Sequence, residues 1–215
     1  MTLAALLLLS ALGVAAQTPA LTFTKVFPGS QPAYESVTVT KAGAMTYKEF
    51  PADNQPVHAQ IPDRDASALF DLAAKLDYFR SPLESGLKVA NTGKKAFIYN
   101  DGAGKTSNAV FNYSQNPFAQ QLLDKFEQIG ESERALLSLE RTAQFDKLGV
   151  NDSLAEIEAL WLNKHLAAPL QFIPLLTKVA SHESYMHLAR DRAARLKDEF
   201  QAPPAAPKAP GDPSK

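Results

Sequence analysis

The amino-acid sequence predicts an α+β protein, in which an antiparallel sheet with one covering helix is followed by a helical, bundle-like C-terminal region. Apolar and polar residues alternate in the first half of the chain, as they do in half-buried strands. One stretch of that half has helical spacing, as does nearly everything after residue 116. We therefore divide the chain into a signal peptide (1–16), an antiparallel α+β domain (17–115), a helical domain (116–200) and a proline-rich disordered tail (201–215).

Residues 1–16 have the pattern of a cleavable secretory signal. An apolar run from Leu3 to Val14 ends in small residues ahead of Gln17. The run is shorter than the roughly 20 residues that span a bilayer. No Lys or Arg precedes it, and a buried N-terminal core segment is the alternative. We expect the protein to be secreted or periplasmic, with no stable membrane insertion after the signal is cleaved.

Strand patterns dominate residues 17–115. The segment "ESVTVTKAGAMTYKEF" alternates Val37 and Val39, turns at Ala42-Gly43 and resumes with Met45 and Tyr47, which predicts a hairpin. A short strand follows at "VHAQI". The segments "AFIYN" and "SNAVFNY" place aromatic residues on one face each, as two further strands would.

One helix interrupts these strands. Asp63 is the predicted N-cap, acidic residues fill the first turn, and Ser81-Pro82 is the predicted end. An apolar stripe at helical spacing predicts the face that covers the sheet: Leu69, Leu72, Ala73 and Leu76.

The helical region begins at Asn116, which the sequence predicts to be an N-cap ahead of Pro117. Gly130 either breaks or softens the long segment that follows, and Gly149 is predicted to end it. Ser153 and Glu156 predict a capping box for the next helix. Two more helical segments follow, one before and one after Ser181. The last helix is predicted to start there, with inward residues Tyr185, Ala189, Ala193, Leu196 and Phe200.

Composition excludes several classes of site. Lys and Arg number 22 against 23 Asp and Glu, so the net charge of −1 gives no field that would attract nucleic acid. The chain has no cysteine, which excludes disulfides, a thiol nucleophile, a thiolate metal site and a lipid anchor on cysteine. We expect a protein or small-molecule ligand as the partner and no cofactor.

The segment "NDGAGKTS" (residues 100–107) ends like a phosphate-binding P-loop. In that motif the first glycine would stand at Tyr99, and a helix would follow Thr106. Tyrosine cannot follow the tight backbone path, and the residues that follow have a strand pattern. We therefore predict a hairpin turn in which Gly102 and Gly104 take positive backbone angles.

The segment "HESYMH" (residues 182–187) is close to the zinc-protease motif, in which two histidines stand four apart. Here His182 and His187 are five apart, about 140° around a helix, and would diverge. His58 and His165 are isolated, and no serine-hydrolase elbow is present. The acidic pairs Asp63 with Asp65 and Glu131 with Glu133 are predicted to lie near helix starts. The sequence thus assigns no catalytic, cofactor-binding or metal-binding residue.

Residues 21–129 resemble a family of bacterial secreted domains of unknown function. The resemblance rests on Pro32 and Tyr34 just before an alternating strand, on the turn at Gly43 and on Tyr47 in the next strand. It continues into "ALFDLAAKLDYF" and the "DGAGKT" hairpin. The family commonly carries two cysteines before the Pro-x-Tyr motif, where this chain reads "VFPGSQ". The resemblance implies a secreted α+β domain and supplies no catalytic residue.

These observations favour a non-enzymatic secreted or periplasmic binding or interaction module, without settling whether the chain is an enzyme. Tyr34, Tyr47, Tyr99 and Tyr113 are the first residues to test, although core packing explains each of them as well. One alternative is a hydrolase whose acids and histidines meet only in the tertiary fold. Another is a structural envelope spacer that acts through the tail, where proline recurs every third residue.

Overall fold

A computed structural model describes residues 17–202, and the predicted signal peptide and residues 203–215 lie outside the described residues. The fold class is α+β, as predicted. The strands are β1 (Ala20–Val26), β2 (Tyr34–Thr40), β3 (Ala44–Lys48), β4 (Val57–Gln60), β5 (Lys94–Asn100) and β6 (Thr106–Phe111). The α-helices are α1 (Asp63–Lys75), α2 (Pro117–Phe145), α3 (Val150–Leu162), α4 (Ile173–Ser181) and α5 (His187–Gln201).

The strands form one antiparallel sheet in the order β4-β3-β2-β1-β5-β6. The predicted hairpin around Gly43 joins β2 to β3, and Gly43 has a φ of +82°. Sequence analysis missed β1, although it is an interior strand with neighbours on both sides. Its signal is short: only Leu21 and Phe23 alternate with threonines before Lys25.

The first core lies between the inner face of the sheet and two helices, α1 and the first half of α2. Phe97 of β5 is at its centre, with ring centroids 5.1 Å from Phe111 and 5.3 Å from Phe79. Phe126 of α2 stacks on Phe23 at 5.5 Å. The predicted stripe of α1 is buried here, so α1 covers the sheet as expected and α2 covers it too.

Both predicted ends of α1 are wrong. Pro62 is the N-cap, and Asp63 is the first helical residue, with a side chain that makes no capping hydrogen bond. The helix ends at Lys75, well before Ser81-Pro82, because Asp77, Tyr78 and Phe79 adopt positive φ angles of 49°, 49° and 66°. These angles are incompatible with an α-helix. They form a 3₁₀ turn at Asp77–Phe79 that brings Phe79 into the core.

Helix α2 connects the two halves of the molecule. Asn116 is its N-cap, as predicted: Oδ1 accepts hydrogen bonds from the backbone N–H groups of Phe118 and Ala119. The helix runs through Gly130 without a break. Its first half packs in the sheet core, and its second half packs in a second core with α3, α4 and α5. The helix that follows residue 116 therefore contributes to both cores. The predicted domain boundary at that residue stays a prediction.

Three predictions in the helical region are wrong: the end of the long helix at Gly149, the capping box at Ser153 and the start of the last helix at Ser181. Gly149 has a φ of −72° and is the N-cap of α3, so it does not end α2, which stops at Phe145. Ser153 lies inside α3 and forms no capping box with Glu156, because its buried Oγ lies 3.1 Å from Thr142 Oγ1.

The last helix starts at His187 rather than Ser181. The hydroxyl of Tyr185 donates to the carbonyl of Ala143 at 3.0 Å, which fixes the preceding segment against α2. The four inward residues predicted downstream of Tyr185 are all buried: Ala189, Ala193, Leu196 and Phe200.

Candidate functional site

A row of charged residues crosses the inner face of the sheet beside the apolar core. The strand register places Glu35 of β2 opposite Lys25 of β1, and Lys25 opposite Lys95 of β5. These residues lie two positions from buried Val37, Phe23 and Phe97 and so face the same side. Glu35 and Lys95 are only 5% and 4% exposed. Charged groups this deeply buried need partners.

Helix α2 supplies partners for two members of the row. Arg134 Nη1 donates to Glu35 Oε2 at 2.5 Å, and Lys25 Nζ donates to Glu127 Oε1 at 3.2 Å. Gly130 lies between Glu127 and Arg134 on α2. A Cβ added there would lie 3.4 Å from both Glu35 Oε2 and Arg134 Nη1, so the helix backbone comes close to the ion pair.

Burial shifts the pKa values of the charged row. Burial raises the pKa of the Glu35 carboxyl, against the opposing effect of the Arg134 guanidinium. The pKa of the neighbouring Tyr47 hydroxyl is raised by burial and by the Glu49 carboxylate. Burial, and then the charge of Lys25, lower the pKa of Lys95. The row and α2 thus bring together charges of both signs in a poorly hydrated place.

A cavity of about 250 Å³, the lysine cavity, opens at one end of the row. Its cations already have partners. Lys95 Nζ donates to Thr92 Oγ1 at 2.8 Å and to the carbonyl of Asn112 at 3.0 Å, while Lys25 is paired with Glu127. The lining residues are Lys25, Thr92, Lys95, Asn112, Tyr113, Gln120, Leu123 and Glu127.

A larger cavity of about 400 Å³, the arginine cavity, opens at the other end of the row. One wall is a stripe of α2, and the other is formed by the link between β1 and β2 and by residues just after β3. The lining residues are Gln31, Pro32, Ala33, Glu49, Phe50, Arg134, Leu137, Ser138 and Arg141.

The arginine cavity combines an available cation with apolar surface. Phe50 is 66% exposed, which is unusual for so large an apolar side chain. Arg141 is exposed, and its side chain makes no hydrogen bond or ion pair within residues 17–202. Arg134 is held by Glu35. A guanidinium can donate two parallel hydrogen bonds to a carboxylate. The cavity is therefore suited to bind an anionic group next to an apolar one.

The four tyrosines singled out from sequence lie in different places. Tyr47 is buried, and its hydroxyl donates to Glu49 Oε1 at 3.2 Å, next to the arginine cavity. Tyr113 is 39% exposed and lines the lysine cavity. Tyr99 stacks on Tyr78 with centroids 4.4 Å apart. Tyr34 is half-buried at the start of β2. They do not form a common site.

The segment at residues 100–107 is a hairpin turn between β5 and β6, as predicted. Gly102 and Gly104 have φ angles of +76° and +94°. The Asp101 carboxylate accepts from the backbone N–H groups of Ala103 and Lys105 at 2.7 and 3.0 Å, which lowers the pKa of Asp101. N–H groups that a P-loop would turn toward a phosphate are thus bonded to the protein's own carboxylate.

The helical premise used for "HESYMH" is wrong, because residues 183–186 form a link between α4 and α5. His182 Nδ1 lies 2.8 Å from Ser184 Oγ, and His187 Nδ1 lies 2.7 Å from Asp191 Oδ2. His58 and His165 lie elsewhere, beside Thr46 and Glu131. Within residues 17–202, no group of three or more His, Asp or Glu side chains is placed to hold a metal ion.

The acidic pairs have different positions. Asp63 and Asp65 lie in the first turn of α1, as predicted. Glu131 and Glu133 were predicted near a helix start and lie in the middle of α2, because Gly130 does not interrupt that helix. Glu133 is fully buried.

Sequence reasoning missed the charged row of Lys25, Glu35 and Lys95 and the two arginines of the second cavity, Arg134 and Arg141, although it singled out Tyr113, which lines the lysine cavity. The strand register that aligns the first three depends on β1, which was not predicted. The sequence did contain one weak signal. Arg134 and Arg141 are seven residues apart, so they lie two turns apart on one face of a helix.

Comparison with known proteins does not assign the chain to a family. No family model matches the sequence, and no curated protein is significantly similar to it. Within residues 17–202, no helix combines the length and apolar character needed to cross a bilayer.

Proposed function

We propose that this chain is a non-enzymatic secreted or periplasmic binding module, and that the arginine cavity holds its ligand. The observation that carries the proposal is the cavity of about 400 Å³ in which Arg141, which has no ion-pair partner within residues 17–202, lies beside apolar side chains. Ligand sites in proteins are concave, mainly apolar and equipped with a few orienting polar groups, and their volumes are commonly in this range.

The α2 wall of the cavity supports the proposal because contacts within the protein fix it before a ligand arrives. Arg134 is bonded to Glu35, and Leu137 packs against the sheet core. Ser138 Oγ lies 3.3 Å from Ser153 Oγ of α3. A site with preformed walls loses less conformational entropy on binding.

The family resemblance concerns the same region. Pro32 lines the arginine cavity, Tyr34 begins β2, Gly43 makes the turn into β3, and Tyr47 contacts Glu49 beside the cavity. We propose membership of the secreted domain-of-unknown-function family on these residues. The secreted or periplasmic location is part of the proposal, and cell fractionation with N-terminal sequencing tests it. The hydrolase and the envelope spacer stay alternatives.

The proposal is tested with two small aromatic probes, 3-phenylpropionate and its neutral analogue 3-phenylpropanamide. We expect titration into the ¹⁵N-labelled full chain to shift the amide signals of Ala33, Phe50 and Leu137 first. Phe50→Ala should weaken binding about threefold to tenfold, because it removes exposed apolar contact surface without touching the core.

Phe145→Ala is the matched control, since Phe145 is also largely exposed and does not line the arginine cavity. It should bind both probes as the unsubstituted chain does. If neither probe perturbs the cavity amides, or if both phenylalanine variants weaken binding equally, the arginine cavity is not the ligand site.

A further inference from the structure

The geometry of the arginine cavity points to the class of its ligand, and this inference rests on the proposed function. We propose that the ligand is an organic carboxylate with an apolar, aromatic-sized body, and that Arg141 binds its carboxylate group.

Among the described residues that line the cavity, Arg141 is the cation without an ion-pair partner. Arg134 lies seven residues earlier on α2, about 10 Å along the helix axis, and its Nη1 is already bonded to the buried Glu35. Glu49 accepts a hydrogen bond from Tyr47. The Glu35–Arg134 pair is neutral overall, whereas Tyr47 gives Glu49 a hydrogen bond but no compensating charge. Arg141 takes part in neither contact and has no partner in residues 17–202.

On α2, Leu137 and Ser138 are the lining residues between the two arginines. Leu137 lies one helical turn from each of them, and Pro32 and Phe50 line the same cavity. A ligand whose carboxylate meets Arg141 therefore has apolar surface for its body on the Arg134 side. An anion without a body would gain only an exposed ion pair, which is worth little in water. The geometry thus favours a carboxylate attached to an apolar group over a simple inorganic anion.

The two phenyl probes differ only in charge at the group that would meet Arg141, so their affinities test the inference. We expect the unsubstituted full chain to bind 3-phenylpropionate about threefold to fivefold more tightly than 3-phenylpropanamide, measured by NMR titration. In Arg141→Gln the two affinities should agree within about twofold, with the amide affinity unchanged. Because Arg141 is exposed, the substitution should leave the fold intact.

Arg64→Gln is the matched control, because Arg64 is an exposed arginine of α1 that does not line the cavity. It should keep the preference for the carboxylate. If the unsubstituted chain binds both probes equally, the ligand class is wrong while the binding site survives. If Arg141→Gln keeps the preference, the role of Arg141 is wrong. If neither probe binds, the proposed function itself fails.

Discussion

Glu133 is a fully buried carboxyl group with an incomplete set of hydrogen-bond partners. Its Oε1 accepts from Gln171 Nε2 at 2.7 Å, while Glu133 Oε2 and Gln171 Oε1 have no partner within residues 17–202. Burial raises the pKa of Glu133 from 4.5 to about 7, against the hydrogen bond from Gln171 and with a smaller contribution from the Glu140 charge. Protonation gives the Glu133 carboxyl an O–H group. This group supplies a hydrogen-bond donor next to two oxygens without partners, Glu133 Oε2 and Gln171 Oε1.

This raised pKa predicts a loss of stability with rising pH. The folded state holds the proton more tightly than the unfolded state, so the stabilisation is complete below about pH 4.5 and is lost as the pH rises to about 7. The loss should reach about 3 kcal/mol of unfolding free energy. Glu133→Gln, which is neutral at every pH, should lack this component and exceed the unsubstituted chain in stability at pH 8.

Urea denaturation between pH 4 and pH 8 measures the effect. Glu156→Gln is the control, since Glu156 is an exposed glutamate of α3 and should keep the original pH dependence. Parallel pH profiles for Glu133→Gln and the unsubstituted chain would show that folding does not raise the pKa of Glu133.

At the scale of the element, the β5–β6 hairpin depends on two glycines for different reasons. Both have positive φ angles, which favour glycine. Gly102 also lies against the start of the described chain: an added Cβ would overlap the backbone oxygen of Gln17. A Cβ added at Gly104 would have no atom of residues 17–202 within 4 Å apart from its chain neighbours. The backbone N–H of Gln17 donates to the Gly102 carbonyl at 3.1 Å. The hairpin therefore fixes the residues that lead into β1.

Alanine at each position should separate the two effects. Gly104→Ala should cost about 1 kcal/mol of unfolding free energy, from backbone strain alone. Gly102→Ala should cost more, about 2–4 kcal/mol, because the overlap with Gln17 also displaces the chain before β1. Chemical denaturation gives both losses. Amide exchange at Lys41, whose N–H donates to the Pro19 carbonyl at 2.8 Å, should rise only in Gly102→Ala. Equal losses in the two variants would contradict this account of the hairpin.

The elements that sequence predicted correctly have local causes. The turn at Gly43, the N-cap Asn116 and the hairpin at Gly102 each follow from the conformational preference of one or two residues. The errors have tertiary causes. Phe79 leaves the helical path to enter the core, and Ser153 bonds toward Thr142 of a neighbouring helix instead of capping its own. Those contacts join residues that the sequence does not place together.

The candidate site was the least predictable part for the same reason. Glu35, Lys25 and Lys95 lie side by side only because β2, β1 and β5 pair in one register. Arg134 then meets Glu35 across 99 positions of sequence. The polar character of each residue was visible, but a polar residue in an alternating strand usually faces solvent. Only the tertiary arrangement turns these residues inward under α2.

At the scale of the whole molecule, α2 links the two cores, because one continuous helix contributes residues to both. Residues of its first half pack against the sheet, and Leu139 of its second half is fully buried among α3, α4 and α5. Val57 of β4 packs against both cores. We therefore expect the described part of the chain to unfold as one cooperative unit.

Leu139→Ala tests this expectation. Removing a buried leucine should cost about 2–5 kcal/mol of unfolding free energy. The loss should appear equally in Trp161 fluorescence, which reports the helical core, and in amide exchange of Phe23, which reports the sheet core. Leu162→Ala is the control, since Leu162 is largely exposed and should change neither. A loss confined to Trp161 fluorescence would mean that the two cores unfold separately.

The continuity of α2 also limits how this chain can tolerate insertions and deletions. Each residue added to an α-helix rotates everything downstream by about 100°. One insertion near Gly130 would turn Leu139 away from its core and Arg141 away from its cavity in a single event. The irregular link from Leu83 to Gly93 has no such periodicity to preserve. Length changes should therefore accumulate in that link, while the spacing from Asn116 to Phe145 stays constant.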